Sequence, residues 1–229
     1  MGAIVWDPGD VPRSTRFDDT YYAAADGRAE TVHVYLDGND LPARWRAWER
    51  GLRAPFHIAE IGFGTGLSML LAVEAWIAAG RPCPLRLTSI EGWPMGADGR
   101  ARALAPWPRI AAMHARCLAG LSDAPGWHRI EIDGAVLHLG IGLAEEMVPQ
   151  IDRPADAWFL DGFSPSRNPE AWTPALMAAV GAKTAPGGTA ASFTAAGHVR
   201  RALSAAGFAV ERVAGYGAKR HMTRARMPG

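Results

Sequence analysis

From residue 55 onward, short apolar runs alternate with longer stretches whose apolar residues recur at helical spacing. "HIAEIG" (57–62) predicts a buried strand, and "GLSMLLAVEAWIAAG" (66–80) a helix stopped by Gly80. "PLRLTSIE" (84–91) predicts a second strand, and residues 98–121 a helical region interrupted near Pro106 and Pro108. "HRIEIDGAVLHLG" (128–140) reads as two strands joined by an Asp-Gly hairpin turn. "LAEEMVPQI" (143–151) reads as a short helix, and "DAWFLD" (156–161) as a strand. "NPEAWTPALMAAVGAK" (168–183) predicts a helix with Asn168 as N-cap and Pro169 at its first position. "APGGT" turns the chain into strand "TAASFT", "GHVRRALSAAGF" is a helix, and "FAVERV" and "AKRHMTRA" close the chain as an antiparallel strand pair. The first 54 residues differ: "TVHVYL" (31–36) alternates like a half-buried strand, and "PARWRAWERGL" (42–52) reads as a helix closed by Gly51.

This alternation predicts an α/β fold built on a mostly parallel sheet with helices on both faces. The expected division is an N-terminal β/α extension, residues 1–54, packed on a core of residues 55–229.

Composition adds limits. At 229 residues and 48% hydrophobic, the chain can bury a full core without disulfides. Cys83 and Cys117 have no metal-ligand or CxxC spacing and read as reduced thiols, which points to the cytoplasm. "MGAIVWDPGDVP" has no apolar run of the length a signal or membrane helix needs, so no membrane partner is expected. Net charge is only +1, but from His198 to Gly229 seven Lys and Arg residues face a single acid, Glu211. Such a tail suits a polyanion, and equally a solvated basic face.

Three places carry candidate chemistry. Glu60-Ile61-Gly62-Phe63-Gly64-Thr65-Gly66 ends a strand and opens a helix. Glycines at alternate positions permit a sharp turn and close approach of a ligand to the backbone, although a plain tight turn would use them as well. The spacing is not the dinucleotide G-x-G-x-x-G, and no Lys follows as in a phosphate loop, which favours a nucleoside or amino-acid ligand. Glu91 ends the next strand, where an acid either binds ribose hydroxyls or caps the strand in solvent. Together these two sites suggest S-adenosylmethionine: Glu60 would hold its ammonium or order the loop, Gly62, Gly64, Thr65 and Gly66 would pass its methionine and ribose, and Glu91 would bind the ribose. The third place is "WFLDGFSPSRNP", in which a buried strand runs into Asp161. A strand-end carboxylate in an open α/β sheet points into the ligand crevice, and the following Gly-Phe-Ser-Pro is similar to the acidic or amide-Pro-Pro-aromatic loops of methyltransferases acting on exocyclic amines. The alternative is a helix cap or turn acid.

These residues, with "RFDDTYY" (16–22), "ETVHVYLDGNDL" (30–41), "SIEGWP" (89–94), "APGGTAASFTAAGHVRRALSAAGF" (185–208) and "GYGAKRHM" (215–222), resemble the tRNA wobble-uridine methyltransferases that finish 5-methylaminomethyl-2-thiouridine. That family comprises the methyltransferase half of a bifunctional enzyme and its stand-alone relatives. The resemblance implies a class I methyltransferase fold (a Rossmann-like, seven-stranded sheet with an antiparallel last strand). It implies methylation of a 5-aminomethyl group with S-adenosylmethionine and no oxidase step, so neither FAD nor a metal is expected. The implied partners are the tRNA anticodon stem-loop and a separate flavin oxidase acting upstream. Asp161 would serve as the catalytic residue, hydrogen-bonding the acceptor amine, and would also count among the cofactor-binding residues, and Phe163 would pack on the uracil. Tyr21 and Tyr22 would line the site or the core. His198, Arg200, Arg201, Lys219 and Arg220 would contact RNA. One departure stands out: Gly140-Ile141-Gly142 occupies the place where the family pattern has an Asp for the adenine amino group. The rival readings are a small-molecule amine methyl- or aminopropyl-transferase, and a cofactor-binding module that holds tRNA without catalysis.

Overall fold

The structure, a computed structural model, describes residues 4–48 and 54–229. Three short antiparallel strands come first: β1 (Ile4–Asp7), β2 (Val11–Ser14) and β3 (Asp19–Thr20). Helix α1 (Gly27–Thr31), capped by the Asp26 side chain, runs directly into a π-helical turn, Val32–Asp37, and α2 (Leu41–Arg46) follows. The core then lays down β4 (Phe56–Ile61), α3 (Leu67–Ala78), β5 (Leu85–Glu91), α4 (Ala97–Leu104), α5 (Pro108–Cys117), β6 (Gly126–Ile132), β7 (Ala135–Ile141), α6 (Ala144–Met147) and β8 (Ala155–Leu160). It ends with α7 (Pro174–Ala182), β9 (Thr184–Ser192), α8 (Gly197–Ala205), β10 (Ala209–Ala214) and β11 (His221–Arg226).

The main sheet has eight strands in the order β10-β11-β9-β8-β4-β5-β7-β6. Strands β9, β8, β4, β5 and β7 pair in parallel, and β11 runs antiparallel between β9 and β10. The eighth strand, beyond the seven that the family resemblance implies, is β6, the first strand of the hairpin read from the sequence, added antiparallel at one edge. Its turn places Asp133 and Gly134 at positive φ (48° and 96°), as a two-residue hairpin loop requires. Both sheet faces are covered, which explains why every residue of β4 and β8 is buried and the two strands read as mostly apolar rather than alternating. On β8, Ala157 and Phe159 join the core under α3, α5 and the N-terminal helices, whereas Trp158 and Leu160 join the core under α7 and α8.

Three local expectations change. "TVHVYL" is helical: Val34, Tyr35 and Leu36 are buried in succession, which a one-faced strand cannot do, and the π-turn is closed at Gly38, where a Cβ would lie 1.9 Å from the Val34 carbonyl oxygen. The run from Asn168 splits into a single 3-10 turn (Pro169–Trp172) and α7, because a residue preceding proline resists helical ψ and Thr173 precedes Pro174. Thr173 therefore caps α7, its Oγ1 accepting from the Leu176 N–H at 3.1 Å, while the Asn168 side chain caps nothing. Finally, "APGGT" is a bulge inside β9 rather than a turn before it: pairing with β8 jumps from Ala155↔Thr184 to Ala157↔Thr189. The helix end expected at Gly51 lies outside the described residues; the helix seen there ends at Arg46.

Candidate functional site

Strand order reverses at β4, which is flanked by β5 on one side and β8 on the other. Ligands of open α/β sheets bind beyond the carboxyl ends of the strands at such a reversal. Gly62, Glu91 and Asp161 stand at the ends of these three strands, tied together by backbone bonds: the Gly62 N–H donates to Ile90 O (2.9 Å) and the Asp161 N–H to Ile61 O (3.0 Å). A cavity of about 500 Å³ opens above them, within the range of small-molecule sites.

The glycine loop is shaped by its backbone. Gly62, Gly64 and Gly66 have φ of 96°, 52° and 82°, conformations that side chains rarely adopt. Gly62 is further constrained, since a Cβ there would lie 2.4 Å from the Asp161 carbonyl oxygen. Glu91 grips the loop, one carboxylate oxygen accepting from the Gly64 N–H (2.7 Å) and the other from the Trp93 N–H (2.8 Å). Burial pushes its carboxyl upward, opposed by those two hydrogen bonds. Glu60 behaves differently. It is buried behind the loop and does not line the cavity. One oxygen accepts from the Ser89 hydroxyl (2.5 Å) and the other has no partner among the described residues. Burial, with Asp161 and Glu91 nearby, holds the Glu60 carboxyl well above the usual carboxylate range.

Asp161 reaches the cavity with both oxygens engaged: the Tyr35 hydroxyl donates to one (2.5 Å) and the Ser68 hydroxyl to the other (3.0 Å). Although part of its surface is open to the cavity, burial pushes its carboxyl up to about 7, against those two hydrogen bonds. The native state therefore keeps a proton that an unfolded chain releases near pH 4. This contribution favours folding at low pH and is lost as pH rises through about 7. Asp161→Asn, which removes the buried charge and keeps the shape, is expected to melt higher than the parent at pH near 8.5. The expected gain is roughly 3 °C or more, the response of a chain this long to about 1 kcal/mol; it should shrink toward pH 5. Differential scanning fluorimetry across pH checks this, and equal melting temperatures at alkaline pH would contradict it.

Phe163 follows two residues later, its backbone fixed by a hydrogen bond from the Trp172 indole N–H to the Phe163 carbonyl (2.8 Å). Phe17 stacks on it (centroids 4.8 Å, 30°), and Tyr21 meets it edge-on (5.0 Å). The N-terminal meander thus forms one wall of the site, and Asp19 secures the wall by accepting from the Ser164 N–H (2.9 Å). Tyr22 also lines the cavity, its hydroxyl donating to Ala103 O (2.9 Å). Of the basic residues singled out from sequence, Lys219 reaches the cavity wall, paired with Glu30 (2.8 Å) and lying over the Phe193 ring (4.3 Å). His198, Arg200, Arg201 and Arg220 do not line the cavity; His198, Arg201 and Arg220 are exposed and Arg200 is partly buried. Arg224 pairs with Asp40 (2.6 Å), so N-terminal acids neutralise part of the basic tail. Tyr35, Asp19, Glu30 and Trp93 also line the cavity, and no motif marked them; the only signal was their place in the "RFDDTYY", "ETVHVYL" and "SIEGWP" runs. At the missing adenine-contacting acid, Ile141 is buried at the end of β7, and Leu143, Ala144 and Glu145 line the cavity just beyond it.

Residues 110–228 match a family model described as S-adenosyl-L-methionine-dependent methyltransferase. Two relatives carry the name tRNA 5-methylaminomethyl-2-thiouridine biosynthesis bifunctional protein MnmC. The protein of Caulobacter sp. (strain K31) is 42% identical over 99% of this chain and 38% of its own length; that of Ectopseudomonas mendocina (strain ymp) is 45% identical over 95% of this chain and 33% of its own length. This chain therefore spans about a third of the length of these relatives. The crystal structure of MnmC2 from Aquifex aeolicus superposes with a TM-score of 0.76 at 20% identity, covering 100% of this chain and 72% of that one, and so shares the fold.

Proposed function

Because this chain belongs to the S-adenosyl-L-methionine-dependent methyltransferase family, we propose that it methylates the 5-aminomethyl group of the (2-thio)uridine at the tRNA wobble position, giving 5-methylaminomethyl-(2-thio)uridine. The observation that carries this reading is the Asp161 carboxylate, set between the glycine loop and Phe163 at the head of the cavity. The names of the MnmC relatives point to the same nucleoside.

The cofactor brings an electrophilic methyl on a sulfonium, and the chain's task is to bring a neutral amine in line with it. In this reading Gly62, Gly64, Thr65 and Gly66 offer backbone to the cofactor, and Glu91, each oxygen holding a further lone pair, accepts its ribose hydroxyls. Glu60 orders the strand end behind them. Asp161 takes a hydrogen bond from the acceptor amine and aims its lone pair. Its elevated pKa also eases removal of the amine's extra proton: the gap between an alkylammonium and an ordinary aspartate is roughly six to seven pH units, and that to a carboxyl near 7 is roughly three to four. Phe163, backed by Phe17 and Tyr21, offers the uracil a ring to pack on. The residues before 55 would act as a cap that builds the acceptor side of the site, with Tyr22 in its wall. The substrate would come from a separate flavin oxidase. We place the reaction in the cytoplasm; among the described residues no helix is long and apolar enough to cross a membrane.

His198, Arg200, Arg201 and Arg220 would meet anticodon phosphates around the cavity, with Lys219 at its wall. Filter binding is therefore expected to show tRNA affinity falling by roughly tenfold or more between about 50 and 200 mM salt. A flat response would show that these residues face solvent. Labelled methyl transfer from S-adenosylmethionine, offered side by side to bulk tRNA carrying 5-aminomethyluridine and to polyamines, tests the function: label in RNA supports it, and label only in small amines supports a small-molecule enzyme.

A further inference from the structure

The structure assigns Tyr35, carried on the π-turn Val32–Asp37, as the positioning residue that holds the Asp161 carboxylate at its working angle and in its charged form. π-helical turns are rare and are frequently found at functional sites; here the turn delivers one buried hydroxyl to one carboxylate oxygen. The Tyr35 ring stacks on Phe159 of β8 (5.2 Å, 29°), and its hydroxyl reaches Asp161 at 2.5 Å and Leu160 O at 3.4 Å. The turn is locked from behind. Asn39 donates to Tyr35 O (2.9 Å) and Trp158 O (3.3 Å) and accepts from Thr189 (2.6 Å), and Arg44 bonds to that same Thr189 hydroxyl (2.6 Å) and to Asp156 O (2.8 Å). The π-turn is thereby fastened to β8 and β9, leaving the Tyr35 hydroxyl little freedom to follow Asp161 if the carboxylate rotates.

The charges around this pair explain why a neutral donor matters. Glu30 from α1 disfavours a charged Asp161, and Lys219, itself paired with Glu30, opposes it, while the charged Asp161 in turn pushes the carboxyl of Glu60, at the end of β4, upward. Tyr35 and Ser68 supply the two hydrogen bonds that favour the carboxylate, and Tyr35 makes the shorter one. Burial and the nearby acids raise the Tyr35 hydroxyl well above its ordinary value, so it remains a donor throughout the working range.

The test is Tyr35→Phe, which keeps the ring stack and removes only the hydroxyl. In protein labelled with ¹³C at the aspartate carboxyl, the Asp161 signal (assigned by its loss in Asp161→Asn) is expected to titrate near pH 7 in the parent and about one pH unit higher in Tyr35→Phe. Ser68→Ala should move it in the same direction by less, and it keeps the idea testable if the Tyr35 variant fails to fold. Unchanged titration in a folded Tyr35→Phe protein would overturn the assignment. A second arm rests on Asp161 acting as the amine ligand. Methyl transfer by Tyr35→Phe should fall about fivefold near pH 7 and recover as pH rises, whereas an equal loss at every pH would show that the hydroxyl does not hold the carboxylate in its charged form. If Asp161 had no part in transfer, this second arm alone would fail and the titration would still shift.

Discussion

Asp161→Ala is expected to lower methyl transfer by about 10² to 10⁴-fold, the range lost when a positioned acid–base group is removed, while S-adenosylmethionine binding changes by no more than a few fold. Both halves follow from where Asp161 sits. The glycine loop is held by Glu91 through the Gly64 and Trp93 N–H groups, so the cofactor cradle does not need the Asp161 side chain. Asp161 is tied to the strand before the loop through its backbone, N–H to Ile61 O, which alanine preserves, and its side chain meets the helix after the loop at the Ser68 hydroxyl, outside the grip of Glu91. Its side chain faces the acceptor, held by Tyr35 and Ser68. Calorimetry for cofactor binding, with single-turnover assays of methyl transfer, separates the two effects. Turnover close to that of the parent protein would remove Asp161 from the mechanism.

Gly62→Ala should be strongly destabilising, because it combines a backbone clash with a left-handed φ at the site itself. The new Cβ would lie 2.4 Å from the Asp161 carbonyl oxygen, at a φ of 96°. A non-glycine residue at such a φ costs about 1–3 kcal/mol before any clash is counted. The clashing atom is backbone at a junction where β4, β5 and β8 are bonded together, so it cannot swing away as a side-chain tip would. A loss of about 3 kcal/mol or more is expected, lowering the melting temperature by roughly 6–12 °C for a chain this long, together with loss of cofactor binding. Gly80→Ala is the matching control. Its φ is 84° but nothing lies within 4 Å of the added carbon, so it should show the backbone penalty alone and leave cofactor affinity intact. If the two variants melted alike, the close approach at Gly62 would not be the constraint it looks to be.

The sequence makes the cofactor half of the site legible because its residues lie where local patterns stop. Each of β4, β5 and β8 is a short, largely buried run that ends at a glycine or an acid, and the parallel registers Glu60↔Ser89 and Glu60↔Phe159 bring those ends level. The acceptor half is much less legible. Tyr35 meets Asp161 across 126 residues and Asp19 meets Ser164 across 145, separations at which no periodicity operates. The β-branched "TVHVYL" favours a strand locally, and burial of Val34, Tyr35 and Leu36 in one core overrides that preference. Charge counting along the tail overstates its free positive charge for a similar reason: the acids that offset Lys219 and Arg224 are Glu30 and Asp40, at the other end of the chain.

The most direct test of the whole account uses a defined anticodon stem-loop carrying 5-aminomethyl-2-thiouridine at the wobble position, incubated with the protein and S-adenosylmethionine and then digested to nucleosides for mass spectrometry. The account predicts 5-methylaminomethyl-2-thiouridine from the parent protein, almost none from Asp161→Ala, and no methylation of the same stem-loop bearing unmodified uridine. Methylation elsewhere in the RNA, or an unmethylated wobble nucleoside from a folded protein that binds the cofactor, would contradict it.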